Sequence, residues 1–431
     1  MPRQRRHAPL RVLLDNRLVG YFEKESTGAI HFRYDQDWLN WRDAVPVSLS
    51  LPLREDAYRG APVAAVFENL LPDSDALRRR VAEKVGATGI DAHSLLSVIG
   101  RDCVGALQFV PEGMVPGDVT DIRGEPVSDE AIEKLLNNLA RAPLGLERDE
   151  DFRISVAGAQ EKTALLWHEG QWLKPHGTTP TTHILKTQIG SLPNGIDLSN
   201  SVENEFYCLK LMAAFGLPVN AAEIIRFGST KALVVERFDR KWKAGRWLRL
   251  PQEDFCQALA YPPSLKYQSE GGPDIVAILK FLKGGDTPAD DQKAFLKAHI
   301  LFWLMGATDG HAKNFSVFIG PGGRFCLTPF YDVMTAQPSV DSRQIERKQM
   351  RLAMSVGDRR HYRMDEIEGR HFIQTVERAG LPGALATSAL EEVALAADTA
   401  FAAMVNQLPG DFPGEIHASV KGAFTIRRQK I

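Results

Sequence analysis

The chain has 431 residues, 44% hydrophobic and 25% charged, which is ordinary globular usage with length for about two to three domains. A net charge of −2 argues against a surface given over to nucleic acid, and Cys103, Cys208, Cys256 and Cys326 are spaced too widely for a zinc motif or a disulfide framework. No apolar run reaches the roughly 18 residues of a membrane span, and the basic N-terminus leads into a polar strand, so the expectation is a cytoplasmic protein with no membrane partner.

In chain order, residues 9–23 read as two short strands about an Asp15-Asn16 turn, and residues 30–34 as a third. Residues 74–85 follow as a helix whose Ser74 supplies the hydroxyl of an N-cap. Residues 1–112 therefore read as a small α/β subdomain, closed by the turn-rich Pro111-Glu-Gly-Met-Val-Pro-Gly-Asp118. The next stretch, 113–238, carries strand-like 163–167 and 183–186, a helix over 201–215 that stops at Gly216, and a β-branched strand 232–235 ending at Glu236. From 239 to 431 the pattern is mostly helical, with an apolar helix over 292–306. The basic runs 2–7 and 426–431 read as solvated tails.

Chemistry concentrates after the apolar helix. Ala307-Thr-Asp-Gly-His-Ala-Lys-Asn314 sets Asp309 five residues before Asn314, and a short hairpin then leads to Asp332. Phosphoryl transfer from ATP needs a carboxylate to orient the attacking hydroxyl, and an amide plus a carboxylate to hold Mg²⁺. That ion takes oxygen ligands, usually one or two protein groups together with the phosphates. Each of these residues alone reads as well as a turn former; their order and spacing are the informative fact. Lys313 stands where an ammonium can offset γ-phosphate charge. His311 either touches the phosphates or braces the loop.

Three upstream features suit the same chemistry. The loop Ser155-Val-Ala-Gly-Ala-Gln-Glu-Lys162 is either a phosphate cradle of small residues or a plain turn, and it is not a Walker loop. Lys186 is either a solvent-facing lysine on an edge strand or the phosphate-binding lysine of a kinase, paired with Glu205. Glu236-Arg237-Phe238 lies where a kinase hinge reads adenine through its backbone.

Several long motifs are similar to those of the HipA family of serine/threonine kinase toxins. They are Phe152-Arg-Ile-Ser-Val-Ala-Gly-Ala-Gln-Glu-Lys162, Gly177-Thr-Thr-Pro-Thr-Thr-His-Ile-Leu-Lys186, Val235-Glu-Arg-Phe-Asp239, Leu250-Pro-Gln-Glu-Asp254, Gly306-Ala-Thr-Asp-Gly-His-Ala-Lys-Asn314 and Leu327-Thr-Pro-Phe-Tyr-Asp332. Phe67-Glu-Asn-Leu-Leu-Pro-Asp73 and Ile99-Gly-Arg-Asp-Cys-Val-Gly105 extend the resemblance to the N-terminal subdomain. It implies an α+β, two-lobed protein-kinase-like (PI3/4-kinase-like) fold, with an added N-terminal α/β subdomain and a mostly helical C-terminal lobe.

By that resemblance Asp309 is the catalytic base, and Asn314 and Asp332 hold Mg²⁺. ATP is surrounded by Ala157, Gly158, Ala159, Gln160, Glu161, Lys162, Lys186, Glu236, Arg237, Phe238, His311, Ala312, Lys313, Asn314, Tyr331 and Asp332. Ser155 matches an autophosphorylation site, and a phosphate of about −1.5 to −2 charge beside the nucleotide should switch the kinase off. The implied partners are the antitoxin HipB, a helix-turn-helix dimer, and operator DNA that the complex represses. The implied substrate is glutamyl-tRNA synthetase, with growth arrest and persistence as the outcome. Residues 370–380 carry little basic charge, so DNA is expected to be held mainly through HipB. The competing readings are a catalytically silent corepressor and a small-molecule kinase.

Overall fold

A computed structural model describes residues 7–114, 117–118, 120–146, 152–157 and 160–431. The chain divides into two compact units: Met1–Thr187 with Ile225–Ser264 and Val317–Arg324, and Gln188–Ile224 with Leu265–Ser316 and Phe325–Ile431. Sheet and helix are mixed throughout, an α+β architecture.

The first unit begins with an antiparallel sheet in the order Tyr58–Arg59, Ile30–Tyr34, Arg17–Lys24, Leu10–Leu14, Leu107–Pro111. The expected hairpin forms because Asp15 and Asn16 both take positive φ, 47° and 65°, the combination a two-residue turn needs to match strand twist. Phe22, Phe67 and Phe109 meet at ring-centroid distances of 4.5–6.2 Å beneath this sheet. Burying each such side chain contributes about 1.5–3 kcal/mol. The helix Asp75–Val85 forms as expected: the Ser74 hydroxyl accepts from the Leu77 N–H, and Gly86 ends it in the left-handed region.

A second sheet of the same unit runs Thr230–Glu236, His183–Thr187, Lys162–His168, Gln171–Pro175, Gly124–Pro126, with Ala222–Phe227 at its edge. Leu165, Leu185, Val234 and Phe227 on one face bury Ile132 and Leu136 of the helix Asp129–Asn137. The strand His183–Thr187 has neighbours on both sides, so Lys186 is not an edge-strand residue. It is 6% exposed, which overturns the solvent-facing alternative.

The second unit is built around the helix Pro288–Met305, buried almost without interruption from Phe295 to Met305. It starts earlier than the apolar pattern suggested, because Pro288 suits a first turn and Asp290 and Asp291 complement the helix dipole there. Its last turn closes on Gly306, whose φ of +81° disfavours any side chain. The helices Ile275–Leu282, Ala384–Val405 and Gly414–Arg428 pack around it. The C-terminal basic run is only partly a solvated tail. Its residues 426–428 close the helix Gly414–Arg428, where Arg427 donates to the Leu304 carbonyl and to Gln337 Oε1, while 429–431 are exposed beyond it. A helix C-terminus presents unpaired carbonyls and negative dipole, and a guanidinium satisfies both. Among the described residues, no helix is long and apolar enough to cross a membrane.

Candidate active site

The loop after Gly306 stands on aromatic side chains of the second unit. The Phe315 ring lies 4.9 Å from His299, 5.0 Å from Phe295 and 6.0 Å from Phe330. Burial pushes the His299 imidazole down to about 4, so it packs as a neutral ring. A side chain at Gly310 would meet the Phe302 ring at 2.5 Å, which explains the Asp-Gly pair at this point. Thr335 fastens the loop base: its hydroxyl donates to the Met305 carbonyl at 2.6 Å, and its backbone exchanges hydrogen bonds with the Asn204 amide at 2.8 and 2.9 Å.

On this base Asp309, His311 and Asn314 come together. The Asn314 side-chain amide donates to the Asp309 carbonyl at 2.7 Å, and the His311 N–H donates to the same carbonyl at 2.8 Å. With its nitrogen so committed, Asn314 presents its amide oxygen as the remaining donor atom, the atom type Mg²⁺ takes. Asp332 sits at a φ of 57°, a conformation costly for a residue with a side chain. The Asp309 side chain is 52% exposed, whereas that of His311 is 5% exposed with Nε2 3.9 Å from Asp309 Oδ2. His311 also lies edge-on to the Tyr267 ring at 4.9 Å, so in this structure it braces the loop. Ala312, Lys313 and Asn314 form one buried 3-10 turn. The Tyr331 hydroxyl donates to the Lys313 carbonyl at 2.9 Å and pairs with the Ser316 hydroxyl at 2.5 Å.

Two further lysines meet in the sheet-bearing unit. Lys162 and Lys186 are direct partners on neighbouring antiparallel strands, so both point to one face, and each is 6% exposed. Lys162 donates to the Ala157 carbonyl at 2.8 Å, and Gln160 to the Thr187 carbonyl at 3.0 Å. Glu161 makes a surface pair with Arg80 at 3.5 Å. Gly158 and Ala159 lie outside the described residues. Ser155 is fully buried; its hydroxyl donates to the Leu70 carbonyl at 2.7 Å and its N–H to the Asp102 carbonyl at 3.0 Å. Glu205, 2% exposed in the helix Ser201–Ala214, belongs to the other unit.

The Glu236-Arg237-Phe238 segment divides by role. Glu236 is exposed, and Phe238 packs edge-on to Phe318 at 5.7 Å. The Arg237 guanidinium is committed elsewhere, to Asp239 at 2.8 and 3.0 Å, Thr181 at 2.9 Å and the Cys103 carbonyl at 2.8 Å. It belongs to a fully buried ionic knot in which Asp102 also meets Arg240 at 2.9 Å and Arg249 at 3.0 Å. Burial alone would raise the Asp102 carboxyl, but Arg240, Arg249 and Arg237 hold it well below the usual range. Pattern reading missed this knot, although Asp102, Arg237 and Asp239 all lie inside the recognised motifs. It also missed Tyr267, whose hydroxyl donates to Asp309 Oδ1 at 2.5 Å.

Residues 154–401 match the HipA-like C-terminal domain and residues 10–110 the HipA N-terminal domain. The chain is 35% identical to the putative kinase Y4mE of Sinorhizobium fredii over 81% of both chains. It is 29% identical to the serine/threonine-protein kinase toxin HipA of Shewanella oneidensis, over 93% of this chain and 90% of the relative. A chain of the solved complex of Shewanella oneidensis MR-1 HipA, HipB and operator DNA superposes with a TM-score of 0.81 at 27% identity, covering 97% of this chain and 96% of that one. The chain belongs to the HipA family of serine/threonine-protein kinases.

Proposed function

We propose that this kinase transfers the γ-phosphoryl group of ATP to a serine or threonine hydroxyl of a protein, as the toxin of a toxin–antitoxin pair. The carrying observation is the 309–314 loop, where a half-exposed carboxylate and an amide with its nitrogen tied back stand in one short turn. Asp309 takes the proton of the acceptor hydroxyl. The acceptor oxygen bonds to the γ-phosphorus, the bond to the β,γ-bridging oxygen breaks, and ADP leaves with that electron pair. Asn314 and Asp332 are the residues that would hold Mg²⁺, which supplies charge neutralisation at the phosphates. Lys162 and Lys186, side by side and buried, suit a polyanionic ligand. In this reading Lys186 pairs with Glu205, Glu236 to Phe238 read adenine through their backbone, and Ala157 to Lys162 with His311, Ala312, Lys313 and Tyr331 complete the nucleotide site.

Regulation and partners extend the proposal. The buried Ser155 hydroxyl must leave its pocket to accept phosphate, and a group of about −1.5 to −2 charge cannot return there, so autophosphorylation would hold the 152–157 segment out and inactivate the enzyme. HipB is the proposed antitoxin and operator DNA the proposed shared target, supported by the likeness to a chain of the HipA–HipB–DNA complex. A glutamyl-tRNA synthetase is the proposed substrate, with growth arrest and persistence as the consequence.

The test is γ-³²P transfer from Mg·ATP by the wild-type chain, Asp332→Asn and Asp309→Gln, followed by phosphoproteomics after brief expression. Transfer by wild type alone supports the kinase reading. No transfer by wild type, with operator binding intact in the presence of HipB, would favour the silent corepressor.

A further inference from the structure

The segment 265–272 joins the catalytic loop through two bonds that the phosphoryl-transfer chemistry above does not use. The first is main-chain: the Ala312 N–H donates to the Lys266 carbonyl at 3.2 Å. The second is the Tyr267 hydroxyl on Asp309 Oδ1 at 2.5 Å, a short charge-assisted bond to the carboxylate assigned as the base. The Tyr267 ring also stands edge-on to His311, whose Nε2 lies 3.9 Å from the other oxygen, Oδ2. Phenol, carboxylate and imidazole therefore restrict one another.

The tyrosine is itself held. The Glu270 and Gly272 N–H groups donate to its carbonyl at 3.1 and 3.0 Å. Next to it, the Gln268 side chain exchanges two hydrogen bonds with Ser355, donating to Oγ at 3.0 Å and accepting from the backbone N–H at 2.7 Å. A side chain at Gly272 would fall 1.9 Å from the Leu265 carbonyl oxygen, so the turn tolerates only glycine there. These bonds fix the turn that carries the phenol.

We infer that Tyr267 is a positioning residue for phosphoryl transfer: its phenol holds Oδ1 of Asp309 and thereby turns Oδ2 toward the acceptor hydroxyl. This rests on the assignment of Asp309 as the base. A carboxylate on a half-exposed loop otherwise samples several rotamers, and only one presents an oxygen at hydrogen-bond distance from the acceptor. Holding one oxygen removes that freedom before the substrate arrives. The consequence falls on turnover and not on nucleotide binding, because the hydroxyl bonds to Asp309, whereas the ring that packs on His311 is kept in phenylalanine.

The experiment uses the full chain as wild type, Tyr267→Phe, Asp309→Asn and the double variant. It measures γ-³²P transfer to dephosphorylated casein, the affinity for a non-hydrolysable ATP analogue with Mg²⁺, and the melting temperature. Tyr267→Phe should lower kcat about tenfold while KM for ATP and analogue affinity move less than about twofold. In the Asp309→Asn background the same change should have no further effect on residual turnover, since the group it positions is gone. Wild-type kcat in Tyr267→Phe, a raised kcat, or an equal loss in both backgrounds would each overturn the inference. If Asp309→Asn itself keeps full turnover, the assignment of the base fails instead, and the two failures are told apart.

Discussion

Asp102 and Asp309 are the same side chain in opposite circumstances. Asp102 is 2% exposed, receives Arg237, Arg240 and Arg249, and also accepts from the Thr181 hydroxyl and N–H. Asp309 is 52% exposed; its Oδ1 accepts from the Tyr267 hydroxyl at 2.5 Å, and among the described residues His311 Nε2 lies 3.9 Å from Oδ2. A carboxylate surrounded by fixed cations has no oxygen left for chemistry, and removing it strands buried charge. A carboxylate held by one phenol keeps an oxygen for substrate and contributes little to the fold. Number of donors and burial, rather than residue type, separate structure from function here.

That contrast can be broken in graded ways. Asp309→Asn should lower kcat by about 10²–10⁴-fold while its stability changes by no more than about 0.5 kcal/mol, checked by phosphoryl transfer and urea unfolding of the same preparation. Asp102→Asn should do the reverse to the fold, losing about 3–5 kcal/mol because the arginines stay buried with too little negative charge, read as a lower urea midpoint.

The pH dependence of that loss sharpens the comparison. The folded value of Asp102 lies below its unfolded value of about 3.9, so its contribution is fully present above that pH. It is given up only as pH falls toward the depressed folded value. The gap between wild type and Asp102→Asn should therefore stay constant above about pH 5 and close in acid.

Glu253 offers the opposite sign. It is buried, its side chain accepts from the Leu49 N–H at 2.8 Å, and desolvation pushes its carboxyl up to about 8. A raised folded value means stability is greatest below the unfolded value of about 4.3 and declines as pH rises to the folded one. Glu253→Gln should match wild type near pH 4 and melt at a higher temperature than wild type at pH 8.5 and above. Equal melting temperatures at both pH values would show that Glu253 does not titrate in the folded protein.

Much of this was legible in the chain. The Asp15-Asn16 hairpin, the Ser74 cap and the Gly216 stop are local, and local dihedral preferences write them directly into residue type. The edge-strand alternative for Lys186 fails because strand order is not local: its neighbours begin at residues 162 and 230. The motif places Arg237 at the adenine site through its backbone and leaves its guanidinium unassigned; that group serves the knot, since motif identity does not say which way a side chain turns. The basic C-terminal run reads as a tail, and its first residues close a helix, for a related reason. Charge pattern says nothing about a carbonyl terminus waiting on another helix.

What the sequence determined by itself is the short-range apparatus: a carboxylate and an amide five residues apart, close enough that one turn brings Asn314 onto the Asp309 carbonyl. What only the tertiary structure decided is how each charged group is held. Tyr267 lies 42 residues before Asp309, and Asp102 lies 135, 138 and 147 residues before its three arginines. Contacts of that separation arise from the packing of whole elements, and no dihedral preference or spacing within either segment encodes them.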